Sequence, residues 1–386
     1  MNPPDERDPS SPRGLLLQRG LMVIKIGSSL LVDDDGRARR AWMQSLAAEL
    51  GSIDRPIVIV SSGAIALGRG ALGLTGRPRQ LAEAQAAAAI GQIGLAHAWA
   101  DTWAEQDRRA AQVLLTLGDL EQRPRYLNAR ATLETLLERR IVPIVNENDT
   151  VATEEIRFGD NDRLAARVAQ LLGAELLLLL SDVDGLYTAD PAASPDARRI
   201  DRVDRINADI EAMAGVVNRQ GLGTGGMASK LAAARIATDA GITVLLSSGR
   251  HANPIRRLLE DGPATMFPAR TRPLAARKQW LRGLQHPSGR LHLDAGALSA
   301  LEQGSSLLAV GVTAVEGDFR RGDLVAITGP NGLSGQGLSA YAADEARRIV
   351  GLRSEQIAEV LADTGRGPMI HRDDLVLFDR ERISVT

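Results

Sequence analysis

Cysteine is absent from all 386 residues, which excludes disulfides and thiolate metal sites. Histidine is scarce. His97, His251, His286, His292 and His371 are scattered, with no HExxH or paired spacing, so a histidine-built metal site is not expected. Long apolar runs are missing too; stretches such as 176–180 are far short of a membrane span. Net charge is nearly absent, at −2, so no global field draws the chain to nucleic acid or anionic lipid. The start, MNPPDERDPSSPRG, has no apolar core like that of a signal peptide, and residues 1–20 read as a disordered tail. These absences point to a cytoplasmic enzyme without a membrane partner.

Lysine is the informative scarcity. Only Lys25, Lys230 and Lys278 occur among 46 basic residues. Where a cation merely sits on the surface, this chain uses arginine. The remaining lysines are therefore candidates for a compact ammonium that a planar guanidinium cannot imitate. Two of the three lie beside glycine-rich turns.

From residue 21 to about 268 the pattern alternates strand and helix. Apolar, β-branched runs at 21–26, 56–60, 111–115, 141–145, 175–180 and 242–246 predict buried strands. Helical stretches at 38–50, 80–104, 126–139, 163–172 and 227–240 separate them. Such alternation implies an α/β fold with a mostly parallel sheet covered on both faces, where ligands meet the carboxyl ends of the strands. After residue 272 short runs at 307–312, 323–328, 346–352 and 373–378 predict strands of a small β-rich domain. The length suits two domains, expected at 21–270 and 281–386 with a linker at 271–280.

Five segments carry chemistry. In LMVIKIGSSLL (21–31) a buried strand delivers Lys25 to a glycine turn, whose N–H groups can cradle phosphate. In IVIVSSGAIALGRG (57–70) a strand meets a Ser-Ser-Gly turn and a helix, where Ser61 or Ser62 is either an N-cap or a carboxylate ligand. In 142–162 two polar clusters, Asn146-Glu147-Asn148-Asp149 and Gly159-Asp160-Asn161-Asp162, are denser than turns require. They can hold an ammonium, bind Mg²⁺ or orient lysines. In LLLLSDVDGLYTADP (177–191) Ser181 and Asp182 end a strand and either line a nucleotide or cap a tight loop. In GLGTGGMASKLAAARIA (221–237) a glycine loop precedes Lys230 on a helix. Gly221, Gly223 and Gly226 match GxGxxG, but no convincing strand precedes them, and GxxxxGK[ST] is absent. Dinucleotide and P-loop readings are therefore rejected in favour of a loop that closes over nucleotide phosphates.

In this order the five segments resemble the amino acid kinase family, from about residue 21 onward, with a terminal domain that resembles a PUA module. The most specific pieces are VIKIGSSLL, SSGAIALG, NENDTVATEEIRFGDND, SDVDGLYTADP and GTGGMASK. The resemblance implies a three-layer α/β/α sandwich plus a small C-terminal β-rich PUA-like domain. It implies ATP-dependent phosphorylation of an amino acid's side-chain carboxylate, with L-glutamate as substrate, as the first step of proline biosynthesis. Lys25 and Lys230 would stabilise the transferring phosphoryl group, with Asp162 organising them. Ser62, Asp149 and Asn161 would bind the amino acid. Ser181, Asp182, Thr224, Gly225, Gly226, Met227, Ala228, Ser229 and Lys230, with Lys25, would contact ATP, whose phosphates Mg²⁺ would bridge. The chain departs from the family at Ser181, where threonine is commoner, and at Ala228-Ser229. Feedback inhibition by proline and a homo-oligomer follow from the resemblance as expectations. Relatives acting on aspartate, N-acetylglutamate or UMP are the rivals within the class, and the 146–149 cluster with the C-terminal domain argues for glutamate. PUA modules commonly bind RNA, but residues 277–386 hold 13 Arg and Lys against 14 Asp and Glu, so nucleic acid is not the expected partner.

Overall fold

The computed structural model describes residues 8, 11–74, 76, 78, 80–151, 161–216, 226–270, 278, 281, 282, 284, 286–361 and 367–378. The chain divides into two compact units, 1–120 with 129–273 and 121–128 with 274–386.

The first unit is built on a seven-stranded sheet. Its strands are β1 (Met22–Ile26), β2 (Ile57–Ser61), β3 (Ala110–Leu115), β4 (Val142–Glu147), β5 (Leu176–Ser181), β8 (Thr243–Ser248) and β9 (Ala264–Phe267), and a separate short ribbon supplies β6 (Leu186–Tyr187) and β7 (Arg199–Ile200). The order is β3-β4-β2-β1-β5-β8-β9. All pairings are parallel except β8 with β9. The six strands expected from apolar runs are present. β9 was not among them: its four residues, ATMF, are too short to signal a strand, and pairing with β8 supplies the order.

β1 and β5 are buried along their whole length because helices cover both faces, which is why they read as continuous apolar runs. Beneath β1 and β2 the core gathers Met43, Leu46, Leu50, Trp99 and Trp103. A close approach fixes the helix after β2. Gly68 of Ala64–Gly68 and Gly91 of Leu81–Ala104 are interlocked, and a Cβ on either would collide with the other helix's backbone, at Ala87 O and Ala64 O. Any larger residue there would force the two helices apart.

The disordered tail expected at 1–20 needs correction at its distal end. Residues Pro12–Leu16 form a helix, capped by Ser11 Oγ, which accepts from Gly14 N at 3.0 Å. Leu15 and Leu16 are buried in the core, so apolar burial orders the segment.

The second unit carries a five-stranded sheet of β10 (Gly289–Leu293), β11 (Val312–Gly317), β12 (Leu324–Gly329), β13 (Gly332–Leu338) and β14 (Leu375–Leu377), in the order β11-β10-β12-β13-β14. The strand expected at 346–352 is instead a helix, Ala343–Ile349. Glu345 in its first turn accepts from Ala342 N at 3.0 Å, and Ala346 and Ile349 bury the same face. The strand expected at 307–312 is a 3₁₀ turn, Ala309–Gly311, leading into β11.

Candidate active site

The carboxyl ends of β1, β2, β4 and β5 share one edge of the sheet, and the singled-out segments follow from them. Parallel register sets Lys25 beside Val60 on one side and Leu179 on the other. Gly27 N donates to Leu180 O at 3.2 Å, tying the turn after β1 to the neighbouring strand.

Asp162 is the hub. It stands in the first turn of the helix Asn161–Leu172 and is 1% exposed. Lys25 Nζ reaches its Oδ1 at 2.6 Å, and Lys230 Nζ, from the first turn of Met227–Asp239, reaches its Oδ2 at 3.3 Å. The lysines are 5% and 6% exposed. Burial alone would raise the Asp162 pKa, but the two ammoniums and their hydrogen bonds outweigh it and hold the carboxyl below its ordinary value. Burial lowers the pKa of Lys230; attraction to Asp162 opposes this and repulsion from Lys25 adds to it. Together the three side chains carry one net positive charge in a nearly dry place, where it is expensive to hold without an anion. Such an arrangement suits phosphate.

Beside it lies a polar cluster. Asn161 Nδ2 donates to Ser62 Oγ at 2.9 Å and to Asn146 Oδ1 at 3.1 Å. Asn161 Oδ1 is buried and, among the described residues, accepts no hydrogen bond. An ammonium-bearing ligand would supply the missing donor. Ser61 is held away from this task, since Trp99 Nε1 donates to its Oγ at 2.9 Å. Gly63, at φ 106°, then turns the chain so that Ser62 meets Asn161. That geometry brings Ser62, and not Ser61, to Asn161. Asp149, 8% exposed, has its pKa pushed up to about 6 by burial. Ser181 Oγ donates to Asp182 Oδ1 at 2.9 Å at the end of β5, and Arg250 lies 3.8 Å from the other Asp182 oxygen.

The structure thus brings together Lys25, Asp162 and Lys230, and separately Ser62, Asn161 and Asn146. Gly226, Met227, Ala228 and Ser229 lead into Lys230 at a helix start. Thr224 and Gly225 fall outside the described residues, as do 152–160 of the acidic segment. Sequence reasoning missed Gln92, whose Oε1 accepts from Asn146 Nδ2 at 2.6 Å, and Arg250. Nothing in an alanine-rich helix marks Gln92 except its polarity.

A model of the amino acid kinase family matches residues 20–248, and a PUA domain model matches 289–361. The chain belongs to the amino acid kinase family. Within that family it is similar to the glutamate 5-kinase of Paramagnetospirillum magneticum, 52% identical over 92% of this chain and 97% of the relative. The glutamate 5-kinase of Rhodopseudomonas palustris is 51% identical over 92% and 96%. The family is thus a kinase family, and the mostly parallel sheet with a β-rich PUA domain agrees with it. Among solved structures, isopentenyl phosphate kinase of T. acidophilum aligns with a TM-score of 0.44 at 20% identity, covering 64% of this chain and 99% of that one. Among the described residues no helix is long and apolar enough to cross a membrane.

Proposed function

We propose that this chain transfers the γ-phosphoryl group of ATP to the side-chain carboxylate of L-glutamate, giving L-glutamyl 5-phosphate, the first step of proline biosynthesis. The observation that carries the chemistry is the pair of buried ammoniums on the single Asp162 carboxylate. The glutamate 5-kinase relatives carry the substrate.

A glutamate carboxylate, with an ordinary pKa of about 4.3, is ionised at neutral pH, so the nucleophile needs no general base. Its oxygen attacks the γ-phosphorus while the bond to the β-phosphate oxygen breaks, and ADP leaves with the electron pair. Phosphoryl transfer is mainly positioning and electrostatics, which two fixed cations supply. Lys25 and Lys230 stabilise charge on the transferring group, and Asp162 sets their positions. Asp149 and Asn161 hold the substrate ammonium, with Ser62 orienting Asn161. Ser181, Asp182 and the stretch 224–230 contact the nucleotide. Mg²⁺ would accompany the nucleotide and would supply further positive charge to its phosphates. Among the described residues no group of three or more His, Cys, Asp or Glu side chains could hold a metal ion.

We infer a cytoplasmic location, with residues 21–270 as the kinase part, 271–280 as linker and 281–386 as the PUA-like part. The grouping of 274–386 as one unit, together with 121–128, supports that division in outline. A homo-oligomer is supported by Ile90 and Ile93, 41% and 65% exposed on the helix Leu81–Ala104, beside the sheet edge at β3. Proline is the proposed feedback inhibitor at or overlapping the glutamate site. RNA is not a proposed partner.

A hydroxamate assay with ATP, Mg²⁺ and a panel of amino acids tests the activity. Glutamate is expected to give acyl phosphate; preference for aspartate or N-acetylglutamate, or no product at all, overturns the proposal. Repeating the glutamate titration with proline tests inhibition, where an unchanged KM and rate remove it.

A further inference from the structure

At the opposite end of the sheet, where β1 to β4 begin, the first unit has a cavity of about 1040 Å³. Its walls are the turn before β1, residues 51–56 before β2, 107–109 before β3 and 137–141 before β4. A parallel strand of five residues spans roughly 17 Å, so this cavity is separate from the lysine site. Six arginines line it: Arg19, Arg55, Arg108, Arg109, Arg139 and Arg140. Against them stand three acids, Asp54, Asp107 and Glu138. Among the described residues none of the six arginines forms an ion pair with a carboxylate.

Arg55 is built into the wall rather than waving from it. It is 6% exposed; its Nε and Nη1 donate to Gly20 O at 2.7 Å and Leu15 O at 2.8 Å, and its buried Nη2 has no partner. Arg108 lies over the Trp103 ring, 5.1 Å from its centre, which fixes a second guanidinium. Arg140 takes φ 57° just beyond the helix Arg123–Glu138, where glycine is usual. It also stands near enough to Arg108 that, after burial, its charge is the next influence lowering that group's pKa. Arginine at a helix's carboxyl end offsets the helix dipole, which explains one such residue per helix. It does not explain crowding like charges across two helix ends around a fixed, partly unpartnered guanidinium.

We propose that this cavity is a second anion site, for a small molecule carrying two or more phosphate groups. Planar guanidinium forks suit phosphate oxygens, and even when Glu175, which attracts Arg55, is counted with the lining acids, the excess of two positive charges matches a polyphosphate better than a single carboxylate. The volume is that of a small-molecule site. The proposal stands apart from the kinase reading, since no residue is shared.

Calorimetric titration of inorganic triphosphate into the full chain tests it, comparing wild type with the double variant Arg108→Gln, Arg140→Gly. Glycine suits the left-handed backbone, so the second change removes charge without strain. The variant is expected to lose one class of triphosphate binding at least tenfold, while kcat and the KM for ATP stay within twofold. Should that variant fail to fold, Arg109→Gln with Arg139→Gln serves the same purpose. GTP in a parallel arm separates a nucleotide from a bare phosphate chain: tighter binding than triphosphate assigns the nucleoside, equal binding assigns the chain alone. No triphosphate binding to wild type, or identical isotherms for wild type and variant, overturns the proposal.

Discussion

Asp149 and Asp162 are both buried in the first unit, on either side of the same polar segment, and their pKa values move in opposite directions. Asp162 receives two ammoniums and stays ionised far below neutral pH. Asp149 is shifted by burial alone, to about 6. One carboxylate belongs to a completed electrostatic assembly. The other holds a charge that a ligand's ammonium would complete. Burial raises the pKa of each, and the two ammonium partners reverse the outcome at Asp162.

Removing the Asp162 charge breaks the assembly and gives the largest expected effect. Asp162→Asn leaves two ammoniums facing each other, at a cost of about 3–5 kcal/mol in stability. Urea unfolding measures it, and a loss below about 1 kcal/mol would contradict the hub role. Next, Lys230→Arg keeps the charge but not the compact shape. Turnover in the hydroxamate assay is expected to fall about a hundredfold or more, with circular dichroism unchanged. Wild-type turnover in this variant would remove the argument from lysine scarcity.

Asp149→Asn sharpens the contrast, because it acts in the opposite sense on stability. A carboxyl whose folded pKa is raised contributes stability below its unfolded value near 4, and loses it as pH rises through about 6. The neutral variant is therefore expected to be more stable than wild type at pH 8, by about 3 kcal/mol, and similar at pH 4. Its KM for glutamate should rise about tenfold, since a neutral amide holds an ammonium less well than a carboxylate does. In wild type, kcat/KM for glutamate should fall as pH drops below about 6, and the variant should lack that limb. A variant less stable than wild type at pH 8 would show that Asp149 is paired in the free enzyme. Ser62→Ala is the smallest step. It removes the acceptor of one Asn161 hydrogen bond, costing about 1 kcal/mol, or about fivefold in glutamate KM with kcat little changed.

The strands of the first unit were legible because burial on both faces turns them into continuous apolar runs, as in LLLLL of β5. In the second unit the same signal worked only in part: the runs at 323–328 and 373–378 mark β12 and β14, but other strands gave no such run. β10 alternates buried with more exposed residues, and β13 is interrupted by Gly332, Gly335 and Gly337, so neither carries an apolar run. The IVGL run at 349–352 imitated a strand, although Ala346 and Ile349 share a helical face. At the site, Lys25, Lys230 and Asp162 could be named from scarcity and resemblance, and Ser62 from resemblance alone. Gln92 could not, because its only signal is its contact with Asn146.

By itself the sequence determined the alternation of strands and helices, the two rare ammoniums beside glycine turns, and the family. Those are local or compositional properties, written within a few residues of one another. Only the tertiary structure decided that both lysines share one carboxylate, that Ser62 rather than Ser61 meets Asn161, and that six arginines surround one cavity. Each of these joins residues far apart in the chain, and their charges and burial exist only once the sheet has brought the strand ends together.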